Sequence, residues 1–235
     1  MTLTLLPIEG VGEIAEGDEL ATLFADAAQA QGTPVLDGDC IVITQKVVSK
    51  AEGRIVALDH DDPAAKVALV ESESVRVLRR RGDLLITETS HGFVCANAGI
   101  DLSNVDAGTA ALLPVAPDRS AHHIRQAFEA RHGVRVAVIV SDTFGRAWRN
   151  GLTDVAIGAS GLRVVLDLRG QPDANGRELA VTEVAIADEI AGAADLVMGK
   201  SSGIPAAIVR GLAPSWFGES RAADLIRPPA MDLFR

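Results

Sequence analysis

Aromatic side chains are scarce in this chain. They make up 3% of 235 residues, and tyrosine is absent. A surface that reads single-stranded nucleic acid by stacking needs more of them. Basic residues are outnumbered, 22 Lys and Arg against 32 Asp and Glu, for a net charge of −10. That balance argues against nonspecific binding to nucleic acid or to an anionic membrane surface. No apolar stretch approaches the ~20 residues of a membrane span. The opening Met-Thr-Leu-Thr-Leu-Leu-Pro has neither a charged leader nor a long apolar core, so it does not read as a signal peptide. A soluble, cytoplasmic protein is the expectation. The two cysteines, Cys40 and Cys95, sit in apolar surroundings and outside any Cys-x-x-Cys or Cys/His cluster, which predicts buried free thiols. The chain shows no internal repeat, low-complexity segment or linker. Hydrophobic residues are plentiful at 48%, enough for a sizeable core.

The stretch from Ser141 to Ala159 gathers the most reactive side-chain types. A β-branched run, Val134 to Val140, predicts a buried strand before it. Ser141, Asp142 and Thr143 then offer hard oxygen ligands suited to Mg²⁺ or Mn²⁺. Arg146 and Arg149 add two guanidinium groups, good partners for phosphate or carboxylate. A polar connection between strands, with Asp142 capping a turn, explains the same residues without chemistry. A second oxygen-rich cluster, Asp101, Ser103 and Asn104, follows the predicted strand Phe93 to Ala96. Asp101 could share a cation with Asp142 across the fold.

Other segments suggest contacts to phosphate. Lys46 and Lys50 follow the predicted strand Asp39 to Thr44 directly, within an acidic chain. Gly10 to Ile14 forms a glycine-bearing turn. The next helix begins too late, near Asp18, for a dinucleotide fingerprint, but free N–H groups of the turn could meet a nucleotide. Ala194 to Ser201 is close to G-x-x-x-x-G-K-[ST] in spelling, but lacks the first glycine and runs helix to loop to strand, so it is not read as a P-loop.

Further helices are expected from Asp62, as N-cap with Pro63 at N1, to about Arg80; from Ser120 to Arg131; from Leu179 to Ala193; and near Glu219 to Ile226. The arginines at 79–81 then answer a helix C-terminus. Leu84 to Glu88 and Phe93 to Ala96 predict a hairpin with His91 at a surface turn. Several strands adjacent in sequence favour an α+β fold with mixed, largely antiparallel sheets over a doubly wound parallel sheet.

Several long motifs in order resemble the coenzyme F420-0:L-glutamate ligase family, the γ-glutamyl ligases of F420 biosynthesis. They are Asp39 to Arg54, His91 to Asp101, Ser103-Asn104-Val105, Ser141 to Arg146 and Leu179 to Ala185. The resemblance implies GTP-dependent addition of L-glutamate to F420-0, and further γ-linked glutamates, through an acyl phosphate. It implies two divalent cations, Mg²⁺ or Mn²⁺, at Asp101, Asp142 and Thr143, together with K⁺. Val11, Gly12, Glu13, Ile14, Gln45, Lys50 and Asn104 would contact GTP, and the segment holding Met198, Gly199 and Lys200 would close over it. Lys50 and Arg146 are the candidate catalytic residues. Charge and position suggest Arg146 and Arg149 for the acceptor. The resemblance also implies one ligase domain of two interlocked α+β lobes, a homodimer, and here a stand-alone form without a flavin reductase domain. A lysine at position 200, near where some relatives carry an acidic or amide side chain, is a departure. Without the resemblance, a divalent-metal-dependent phosphatase or kinase acting on a small molecule would use the same aspartates, and a non-catalytic nucleotide-binding module would need fewer of them.

Overall fold

A computed structural model describes residues 2–233. Its centre is a five-stranded sheet in the order β1 (Thr4–Ile8), β12 (Ala206–Arg210), β2 (Cys40–Thr44), β8 (Ala137–Arg146) and β9 (Arg149–Ser160). All neighbours are antiparallel except β2 and β8. Side chains alternate across a strand, and here both faces are apolar. Ile41 and Ile43 face α1 (Leu20–Ala30) and α4 (Pro117–Ala127) with Ile8, Val138, Val140 and Ile208. Cys40 and Val42 face α5 (Ile186–Met198) with Ile139, Ala207 and Val209. The near-continuous hydrophobic runs of β2 and β12 follow from this double burial.

A parallel pair needs a crossover. Between β2 and β8 the crossover includes α2 (Gln45–Ala51), the β3 (Ile55–Ala57)–β7 (Thr109–Ala111) ladder and a three-stranded sheet. That sheet is β4 (Ser74–Arg81), β5 (Leu84–Thr89) and β6 (Val94–Ala96), packed on α3 (Pro63–Ser72) through Val70, Leu85 and Ala98. A last short ladder joins β10 (Leu166–Asp167) to β11 (Glu183–Val184). The mixture is α+β, as expected. Cys40 and Cys95 are buried free thiols. No helix among the described residues is long and apolar enough to cross a membrane.

Four expected elements differ. The helix from Asp62 stops at Ser72, although Asp62 caps it by accepting the Ala64 N–H at 2.9 Å. Residues 74–81 form β4 instead. Val75 and Val77 are β-branched, and Arg76 and Arg80 find carboxylates, Glu88 at 2.6 Å across the hairpin and Glu71 at 2.8 Å. Those arginines therefore answer local ion pairs and not a helix end. The fourth helix starts at Pro117, at the N1 position that suits proline. Ser120 lies inside it, with its hydroxyl on Glu52 Oε1 at 2.5 Å. Residues 179–185 are not helical: Val181, Thr182 and Val184 favour extended chain, and the helix begins at Ile186, with Asp188 and Glu189 in its positive first turn. In place of the helix expected near Glu219 to Ile226 there is one 3₁₀ turn, Ala222–Leu225.

Where α4 crosses β9 the backbones nearly touch. A Cβ on Gly158 would lie 2.3 Å from the Pro117 carbonyl oxygen. Gly158→Ala is expected to destabilise the protein by about 1 to 3 kcal/mol, as overpacking does. Urea unfolding checks this, and an unchanged midpoint contradicts the close approach.

Candidate active site

Sheet register brings distant segments to one edge. Ile8 pairs with Ala206, Ala206 with Ile43, and Thr44 with Ser141. So the chain leaving β1, the chain entering β12, the start of α2 and the functional part of β8 all meet there. The carboxyl end of β2 lies at this edge beside its parallel neighbour β8, the usual place for a crevice in a sheet of this kind. A cavity of about 600 Å³ opens on it. Its lining includes Val11 to Ile14, Gln45, Lys46, Lys50, Asp101, Ser103, Asn104, Ser141 to Thr143, Asp154, and Gly199 to Ser201.

Four carboxylates, Glu13, Asp101, Asp142 and Asp154, share the cavity with the ammonium groups of Lys46, Lys50 and Lys200. Asp101 Oδ2 lies 2.8 Å from Lys46 Nζ, while its Oδ1 accepts the Ser103 N–H at 2.7 Å and hydroxyl at 2.8 Å. Burial works to raise the Asp101 pKa, but the Lys46 and Ser103 bonds outweigh it and hold the group below its ordinary value. Asp154 is only 2% exposed. It accepts the Ser141 hydroxyl at 3.0 Å, the Thr143 hydroxyl at 2.6 Å and Lys200 Nζ at 2.6 Å. Asp142 accepts the Thr143 N–H at 2.8 Å. Burial pushes its carboxyl up to about 7. The Thr143 bond opposes this, the charges of Asp101 and Asp154 add to it, and Lys200 draws it back. Lys50 pairs with Glu13.

The oxygen-rich residues do not end the strand. β8 runs on through Arg146 and returns as β9 after Ala147 and Trp148, the latter at a positive φ of 59°. The register places Thr143 opposite Asp154. A bulge between Val140 and Ser141 shifts the ladder beside the cavity, a common device next to functional sites. Asp154 and Asp195 were not assigned site roles from sequence, whereas Lys46 was read with Lys50 as a phosphate contact; a hairpin folded about Ala147–Trp148 is the pattern that reveals Asp154.

Other candidates are placed differently. Arg146 and Arg149 face each other at the exposed end of the hairpin, outside the cavity lining, and Arg146 Nη2 bonds the Asn150 carbonyl at 2.8 Å. Met198 is fully buried under the sheet against α5's neighbours and does not line the cavity. The helix reaches that residue, so the P-loop-like spelling falls across a helix end. Gln45 lines the cavity, while its Nε2 serves Ser49 at 2.5 Å and the Leu112 carbonyl at 2.8 Å. His91 is half-buried, stacked on Phe93 with ring centres 5.5 Å apart, with Nε2 2.9 Å from the Pro114 carbonyl.

Residues 10–211 match the family described as F420-0:Gamma-glutamyl ligase. The chain belongs to that family. It is 43% identical over an alignment of 254 positions, covering all of both chains, to the coenzyme F420:L-glutamate ligase of Methanothermobacter thermautotrophicus. It is 42% identical to the protein of the same name from Methanopyrus kandleri, across all of this chain and 98% of that one. The Methanocaldococcus jannaschii coenzyme F420:L-glutamate ligase is 43% identical across 86% of each chain. All of the cavity's contributing segments lie within the part matched to the ligase family.

Among the described residues no group of three or more His, Cys, Asp or Glu forms a ready-made metal cage. The donor set does fit an ion that completes its shell from phosphate and water. Asp142 faces two further carboxylates, and among the described residues no ammonium lies within ion-pair distance of it. Mg²⁺ is commonly held by one or two carboxylates plus substrate oxygens.

Proposed function

We propose that the protein is a GTP-dependent ligase that joins L-glutamate to coenzyme F420-0 in coenzyme F420 biosynthesis, and then adds further glutamates through γ-linked amides. One observation carries the reading beyond family membership. Lysines and carboxylates from five separate segments converge on a single cavity large enough for a nucleotide.

In this reading the acceptor carboxylate attacks the γ-phosphorus of GTP, the bond to the β,γ-bridging oxygen breaks, and GDP leaves. The glutamate amine then attacks the acyl phosphate carbon. Inorganic phosphate departs, and the amine loses a proton to solvent or a nearby base. Asp101 and Asp142 would hold a divalent ion, Mg²⁺ or Mn²⁺, which when bound offsets phosphate charge. Lys50 and Lys46 bring positive charge to the triphosphate end, and the N–H groups of the 11–14 turn face the same cavity. Hydrogen bonds from charged donors are worth more than neutral ones and gain strength where water is excluded. Potassium and a second copy of the chain belong to the same reading, and activity in K⁺ against Na⁺ and sedimentation velocity test them.

The direct test is GDP release with and without each substrate. Release that needs both F420-0 and glutamate supports the ligase. Phosphate release indifferent to glutamate supports a phosphatase instead. Lys50→Met is expected to weaken GTP binding about 10- to 100-fold, the loss of one charge-assisted contact. Calorimetric titration checks that expectation, and unchanged affinity removes Lys50 from the nucleotide site.

A further inference from the structure

Lys200 occupies the oxygen cluster at the Thr143 end of the cavity. An ammonium has three N–H donors, and all three are used. They reach Thr143 Oγ1 at 2.5 Å, Asp154 Oδ1 at 2.6 Å and Asp195 Oδ1 at 2.8 Å. Thr143 and Asp154 are cross-strand partners on β8 and β9, Asp195 belongs to the last turn of α5, and Lys200 follows that helix directly. One side chain thus ties the 199–205 loop to both hairpin strands. Gly199 and Gly203, at φ of 62° and 71°, let the backbone turn on either side of it.

The oxygens that accept from Lys200 are the hard donors a divalent ion would take. The buried carboxylate of Asp154 needs a cation beside it, and Lys200 already supplies one. A divalent ion on the same oxygens would sit against a fixed positive charge. Asp142, on the other face of β8, has no ammonium partner among the described residues, and Asp101 pairs with Lys46 through Oδ2 alone, its Oδ1 taking only the Ser103 N–H and hydroxyl.

We propose that Lys200 serves as a tethered cation in place of a second divalent ion, so that this chain holds one divalent ion at Asp101 and Asp142 and none at Thr143 and Asp154. The proposal rests on the metal-assisted ligase reading above and specifies the metal content of that site. Lys200 acts here as a positioning residue. It holds the loop and the Thr143–Asp154 pair whether or not a chelator is present.

Electron paramagnetic resonance of Mn²⁺ titrated into the protein at saturating GDP decides the matter. One isolated Mn²⁺ per chain is expected for the natural protein. Lys200→Gln and Lys200→Met both remove the charge and should admit a second ion, giving two Mn²⁺ per chain and a dipole-coupled spectrum. Two ions in the natural protein overturn the proposal. So does a count that stays at one in both folded variants. Absence of any bound Mn²⁺ in all three proteins has a different meaning: the metal reading of the whole site fails, and the role of Lys200 with it.

Discussion

Asp142→Asn is expected to slow ligation about 100-fold or more and, above pH 7, to make the ligand-free protein more stable. Both effects come from one strained carboxylate. Burial is the main reason its pKa rises to about 7, and Asp101 and Asp154 add like charge; Lys200 and the Thr143 N–H act in the opposite direction. Cys95 feels the same carboxylate: burial first, and then the Asp142 charge, push its thiol up to about 12. In the unfolded chain Asp142 titrates near the ordinary aspartate value of about 3.9. Between that value and about 7 the folded state binds the extra proton, so the stability contribution of this residue falls as pH rises and is flat above the window. Asparagine keeps the shape of the neutral acid and has no charge to bury. Near pH 4 the variant should match the natural protein. At pH 8 it should exceed it by about 1 to 3 kcal/mol, less than the full shift implies because water screens a partly exposed group. Thermal melts at both pH values read this as a rise of a few degrees. A lower melting temperature at pH 8 contradicts the account. Loss of turnover should be about 100-fold or more, the scale for removing one preorganised electrostatic contact. Added Mg²⁺ or Mn²⁺ should stabilise the natural protein and leave the variant unmoved.

Arg210→Met is expected to cost about 2 to 4 kcal/mol and to leave nucleotide affinity unchanged. Asp39 opens β2 and is 1% exposed. Arg210, at the end of β12, holds it with two bonds, Nε to Oδ1 at 2.8 Å and Nη2 to Oδ2 at 2.7 Å, and also reaches the Pro34 carbonyl at 2.7 Å. The Asp39 bonds raise the Arg210 pKa against the opposing effect of burial. Removing the guanidinium leaves a buried carboxylate whose remaining hydrogen-bond donor among the described residues is the Leu36 N–H, 2.8 Å from Oδ2. Breaking a buried pair from one side is costly, whereas replacing both members is far less so. Asp39→Asn combined with Arg210→Met should therefore recover part of the loss. Urea unfolding of the three variants reads the cycle. If the double variant is no better than Arg210→Met, the cost lies in packing and not in the unpaired charge. The pair sits at the far end of β2 from the cavity, so it supports the sheet without touching the site.

Much of the sheet was legible in sequence because its strands are buried on both faces. Asp39 to Thr44 and Val134 to Val140 carry short apolar runs that need no tertiary information to read as strands. Helix ends were less legible. Asp62-Pro63 announces a start correctly, but its end depends on Arg76 meeting Glu88 across a hairpin, a contact made only after folding. At the site, Asp101, Asp142 and Thr143 stand out as oxygen donors near strand ends, and all three line the cavity. Asp154 does not stand out, since its importance comes from the register that sets it opposite Thr143. Asp195 and Lys200 meet through a helix whose start lay seven residues later than the expected Leu179. Arg146 and Arg149 were attractive by proximity in sequence; β8 continues past Asp142, with a bulge at Gly145–Arg146, and carries them to the hairpin tip outside the cavity lining.

Mass spectrometry of F420-0 incubated with the protein, GTP, Mg²⁺ or Mn²⁺, K⁺ and L-glutamate tests the central reading most directly. The account predicts products heavier by whole glutamate residues, formed only in the complete mixture, with GDP and phosphate released in step. GTP consumed while F420-0 keeps its mass would contradict it.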